Sequence, residues 1–120
     1  MAEAEAHNEP ILSVVFFRTE AGHEPVREWL KSLKREDRKT IGEDIKTAQF
    51  GWPLGMPLIR KLERGLWEVR SQIRQGIVRV IFTVEGDTMV LLHGFIKKAQ
   101  KTPPRELNTA RQRLVDLRQE

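Results

Sequence analysis

Glu68, Arg70, Arg79, His93, Lys97 and Lys98 lie in three successive short stretches of the chain, and their types suit work on a phosphodiester. Arginine binds phosphate well because its planar fork donates two parallel, charge-assisted hydrogen bonds. Phosphoryl-transfer catalysis consists largely of positioning and compensation of developing negative charge. In RNA the 2′-hydroxyl is an internal nucleophile, so such a site requires neither a metal nor a protein nucleophile. On this reading Arg70 and Arg79 hold the scissile phosphate, while Lys97 or Lys98 stabilises charge or assists the leaving oxygen. Glu68 or His93 serves as general base, and a histidine's unperturbed pKa of about 6.5 is the more convenient. Arg74 and Lys101 extend the same basic surface and are expected to bind RNA. The competing reading is structural. Polar residues alternating along a strand often form only a solvated face, and a cross-strand Glu–Arg pair is worth ~0.2–1 kcal/mol. His93 would then be a hydrogen-bonded structural histidine, and Trp67 and Phe95 core or rim residues.

These residues share a face only if their segments are strands. In Leu66–Ile73, Trp67, Val69, Ser71 and Ile73 alternate with Glu68, Arg70 and Gln72, the period-2 pattern of a half-buried strand. Residues 77–84 place Val78, Val80, Phe82 and Val84 opposite Ile77, Arg79, Ile81 and Thr83. Residues 88–96 place Val90, Leu92, Gly94 and Ile96 opposite Met89, Leu91, His93, Phe95 and Lys97. The turns Arg74-Gln75-Gly76 and Glu85-Gly86-Asp87 are short, so the three runs predict an antiparallel meander.

Upstream, the β-branched and aromatic run Ile11–Phe17 predicts another strand, with both faces at least partly covered. Pro25 suits the first position of a helix. Val26, Trp29, Leu30 and Leu33 then recur at i, i+3, i+4 and i+7, a single apolar stripe. A second helix is predicted over 35–49, with Ile41, Ile45 and Ala48 inward and Arg38, Lys39, Glu43, Asp44 and Lys46 outward. The apolar, Pro- and Gly-rich stretch Phe50–Pro57 reads as an ordered loop packed on the domain. After Pro103-Pro104 a last helix, 105–119, carries the stripe Leu107, Ala110, Leu114 and Leu117. The expected class is α+β: a small antiparallel sheet in the order β-α-α-β-β-β-α, with an N-terminal helical hairpin, a C-terminal helix and the helices gathered on one face. Residues 1–10 are expected to be a flexible tail and residues 11–120 a single domain. The face bearing Glu68, Arg70 and Arg79 is expected to be open.

Composition narrows the classes further. The chain has 120 residues, enough for one modest core. Residues 1–9 hold Glu3, Glu5 and Glu9 and no Lys or Arg, which leaves 14 acids against 21 bases beyond them, a net +7. Such a domain attracts polyanions. There is no cysteine, so disulfides, thiolate metal sites and cysteine nucleophiles are excluded. His7, His23 and His93 lack metal-ligand spacing, and no cofactor is expected. No apolar run approaches the roughly 20 residues that span a bilayer, and the N-terminal residues lack the order of a secretory signal. The expected location is the cytoplasm, without a membrane partner.

The segments Pro25–Leu30 (PVREWL), Gly51–Pro57 (GWPLGMP), Lys61-Leu62, Gly65–Arg70 (GLWEVR) and Leu92–Lys98 (LHGFIKK) together resemble the phage-derived Gp49-like, HigB-type branch of the RelE/ParE toxin superfamily. The likeness covers roughly residues 11–117. It implies a RelE-like fold and the toxin of a type II toxin–antitoxin pair. Many such toxins are metal-independent endoribonucleases that cut mRNA, often on the ribosome. It implies a helix-turn-helix antitoxin as partner, with operator DNA bound only through that antitoxin. The family's basic positions fall near Glu68 and Arg70, at Arg79 and at Lys97-Lys98. Two departures stand out: Glu68 occupies a position that is basic in ribosome-dependent relatives, and the chain contains no tyrosine to match the catalytic one of RelE. The alternatives are a ParE-like gyrase poison and a non-catalytic module of a repressor complex.

Overall fold

The computed structural model describes residues 9–97 and 101–119. The alternation in residues 66–97 produces the expected meander: β3 (Leu66–Ile73), β4 (Gly76–Glu85) and β5 (Thr88–Lys97), each antiparallel to the next. Two further strands, β1 (Ser13–Phe16) and β2 (Ile59–Glu63), complete a five-stranded sheet in the order β1-β5-β4-β3-β2. β1 runs parallel to β5, and β2 runs antiparallel to β3. β2 was not anticipated. Its sequence, IRKLE, is mostly charged, and at a sheet edge only Ile59 needs to be buried. β1 is the other edge, and its partial cover is uneven: Val14 and Phe16 pack against the core, whereas Val15 remains 45% exposed. The flanking Leu12 and Phe17 are buried. Residues 1–8 of the expected tail lie outside the described residues.

Helix α1 (Pro25–Lys31) begins at Pro25 as the sequence predicts, and a three-residue link leads into α2 (Arg35–Gly51). Their stripe residues Val26, Ile41, Ile45 and Ala48 pack on Val69, Val78, Val80, Phe82, Met89 and Leu91. The loop after α2 is ordered by its own aromatics, Trp52 meeting Trp67 edge-on at 5.2 Å and Phe82 at 5.7 Å. Helix α3 (Pro104–Arg118) packs on the opposite face, where Ala110 and Leu114 join Phe17, Leu66, Ile81, Val90, Leu92 and Phe95 in a second core. The helices are therefore not gathered on one face.

The two cores coexist because of a bulge. Ile81 is opposite His93 but Phe82 is opposite Leu91, so Leu92 is the extra residue on β5. An extra residue reverses the side-chain alternation beyond it. Met89 and Leu91 consequently face the hairpin while Val90 and Leu92 join His93 and Phe95 on the α3 side, which corrects the predicted division of this strand. Gly94 stays on the hairpin side, where a Cβ would lie 2.5 Å from the Trp29 ring. No helix among the described residues is long and apolar enough to cross a membrane.

Candidate functional site

Strand register brings the charged residues together in adjoining rows. Arg60 on β2 is opposite Glu68 on β3, and the next row on the same face pairs Arg70 with Arg79. Beyond it Gln72, Ile77 and Lys97 are aligned across β3, β4 and β5. Arg79 Nη1 donates to Glu68 Oε2 at 3.4 Å, and Arg70 Nε lies 3.9 Å from the same oxygen. The other carboxylate oxygen, Oε1, accepts from Thr102 Oγ1 at 2.8 Å. Two guanidiniums thus face one carboxylate, and Thr102 covers its other oxygen.

This geometry corrects the expectation of an open face. Glu68 and Arg79 are both 0% exposed. Isolated charges do not survive such burial, whereas paired ones do when hydrogen bonds accompany the Coulombic attraction. Burial pushes the Arg79 pKa down; Glu68 opposes that, while Arg70 and Arg60 add to it by like-charge repulsion. Thr102 escaped the sequence reading because it lies 34 residues from Glu68 and nothing local marks it.

His93 is likewise engaged. Arg113 Nη1 lies 3.2 Å from His93 Nδ1, and His93 Nε2 lies 2.7 Å from Glu106 Oε1. A guanidinium has no acceptor, so Nδ1 must accept and the Nε2–H must donate to Glu106. Arg113 also donates to the Leu92 carbonyl at 2.8 Å, which secures the bulge, and its own pKa is lowered by burial. The imidazole stacks on Phe95 at 5.7 Å. His93 therefore fastens α3 to β5, and it is not the open base that the sequence suggested. A second clasp joins α3 to β2: Arg111 binds both oxygens of Glu63, at 2.6 Å for the shortest contact. That pairing lowers the Glu63 pKa and raises that of Arg111.

Of the other nominated residues, Arg74 and Lys101 are exposed and Lys97 is half-buried at the end of β5. Lys98 lies outside the described residues. Arg70 keeps 17% of its side chain exposed, and its Nε is buried without a hydrogen-bond partner. It lines an open cleft of about 360 Å³ with Asp44, Pro57, Leu58, Gln72 and Ile77. Asp44 was expected to point outward from α2, but it is half-buried in this cleft. A signal for this was present: Ile41, Asp44, Ile45 and Ala48 occupy i, i+3, i+4 and i+7, so the carboxylate sits in a slot of the inward stripe. The arrangement can hold an anion at Arg70, beside the buried Glu68–Arg79 pair. Among the described residues no group of three or more His, Asp or Glu side chains could hold a metal ion.

The sequence model of a family described as phage derived protein Gp49-like (DUF891) matches residues 28–115, from α1 through most of α3. A search of curated proteins finds no match.

Proposed function

The chain belongs to the phage-derived Gp49-like family, a toxin-like group of RelE/HigB type, and from that premise we propose that it is the toxin of a type II toxin–antitoxin pair and cuts mRNA. The observation that carries the reading is Arg70, the half-open member of an arginine cluster whose single central carboxylate is already shared with Arg79 and Thr102. A phosphate in the cleft would meet the exposed part of the Arg70 guanidinium. Positioning by fixed cations is the larger part of such catalysis.

In the proposed step the 2′-oxygen attacks phosphorus and the bond to the 5′-oxygen breaks, leaving a 2′,3′-cyclic phosphate and a free 5′-hydroxyl. Arg70 compensates charge on the phosphate oxygens. The 2′-hydroxyl gives its proton to water in the open cleft, and Lys97 lies on the same face to assist the departing 5′-oxygen. Arg74 and Lys101 track the flanking backbone. Arg79 acts as a positioning residue, holding Glu68 and through it the orientation of Arg70. A helix-turn-helix antitoxin would neutralise the protein, and operator DNA would be bound through that antitoxin.

Expression without the antitoxin is expected to arrest growth, with RNA cleavage that persists in EDTA. Arg70→Ala is expected to abolish both while leaving the fold intact. Full toxicity of that variant would refute the site. A second reading, a module that binds RNA or an antitoxin without cutting, draws on one specific observation: both nominated bases, Glu68 and His93, are held by other side chains. Harmless overexpression together with tight RNA binding would select it.

A further inference from the structure

The cleft beside Arg70 is more than an anion hole, because it also contains a carboxylate. Asp44 forms no hydrogen bond or ion pair through its side chain among the described residues, although Arg70 lines the same cleft. A site evolved only for phosphate gains nothing from an unpaired negative charge, which would repel the ligand. The remaining walls are the apolar Pro57, Leu58 and Ile77 with Gln72 among them, and about 360 Å³ is at the small end of ligand sites. The occupant must therefore be flat or apolar in body, with donors for Asp44 and acceptors for Arg70.

We propose that this cleft is a guanine-binding subsite of the RNA site, selecting the nucleotide next to the cut; the proposal rests on the RNA-cutting reading above. Guanine alone among the four RNA bases presents two adjacent donors, N1–H and the N2 amino group, to one carboxylate. Its adjoining edge presents O6 and N7, either of which can accept from an arginine N–H. Adenine and cytosine offer a carboxylate only one exocyclic amino group, and uracil only one imino hydrogen. Single-stranded RNA exposes both edges of an unstacked base for such reading. Arg79 stays in the buried pair, while Arg70 meets the ligand with two N–H groups, one for the base and one for the adjoining phosphate.

The test is calorimetric titration of the full-length protein with 5′-GMP, IMP, AMP, CMP and UMP. GMP is expected to bind about tenfold or more tightly than AMP, CMP or UMP, the discrimination of one bidentate pair. IMP, which differs from GMP only in lacking the N2 amino group, is expected to bind several-fold more weakly than GMP. Asp44→Asn and Asp44→Ala, with folding checked by circular dichroism, are expected to erase the preference for GMP. Equal binding of all five nucleotides would mean phosphate recognition alone and would overturn the proposal, as would no binding of GMP. A preference that survives both Asp44 variants would overturn it equally. The GMP–IMP comparison decides even if the variants do not fold. RNA cutting without base preference would leave the nuclease standing and remove the subsite. Selective GMP binding by a protein that cuts no RNA would do the reverse.

Discussion

Glu68→Gln separates a structural from a catalytic role at the centre of the site. The substitution preserves shape and leaves an acceptor for Thr102, but removes the charge that Arg79 and Arg70 face at 3.4 and 3.9 Å. At an effective dielectric of about 20, those two attractions are worth roughly 5 and 4 kcal/mol gross. Desolvation offsets much of that in the native protein, but it is not recovered when only one partner is removed. Breaking a buried pair from one side costs about 3–5 kcal/mol. The isosteric amide retains one hydrogen bond, so we expect about 3 kcal/mol. For a domain with ~5–15 kcal/mol in total this is a large loss. In urea, with an m-value of about 1.5 kcal/mol/M, the midpoint should fall by roughly 2 M. Arg79→Ala is expected to lose a similar amount, so lost toxicity in that variant would reflect unfolding. A Glu68→Gln protein within about 0.5 kcal/mol of wild type would refute the argument that burial makes this pair structural. An Arg79→Ala variant that kept its stability but lost RNA cleavage would do the same.

Two other substitutions examine the elements around the site. His93→Phe keeps an aromatic ring against Phe95 but leaves Glu106 and Arg113 without their shared partner. The expected loss is about 1–3 kcal/mol in urea unfolding, with α3 amides exchanging faster. Cleavage lost at unchanged stability would instead return His93 to the chemistry. Gly94→Ala would press a methyl group to within 2.5 Å of the Trp29 ring, a rigid neighbour. Overpacking of this kind costs ~1–3 kcal/mol, and Trp29→Leu in the same chain should recover part of it. A stable Gly94→Ala single variant would show that α1 can shift away from β5.

Much of the architecture was legible because local periodicity is a local property. The i, i+3, i+4 pattern marked the inward residues of α1 and α2, Pro25 marked the start of α1, and alternation with short turns marked β3, β4 and β5. β2 was hidden because an edge strand with one buried residue need not alternate visibly. The charge of Asp44 points to exposure, but its spacing from Ile41 and Ala48 places it in the stripe.

For the charged strand residues the sequence determined identity and sidedness: Glu68, Arg70 and Arg79 had to share one face, apart from Val69, Val78 and Val80. It did not determine what covers that face. Period-2 alternation says that two faces differ, not which neighbour each will meet, and the stripe of α3 would suit either side of the sheet. The tertiary structure decided this by placing α3 opposite the hairpin, reversing the β5 pattern at Leu92 and bringing Thr102 back onto Glu68. Glu68 and Arg79 were thereby drawn into the interior as a paired charge, and Arg70 was left lining the cleft.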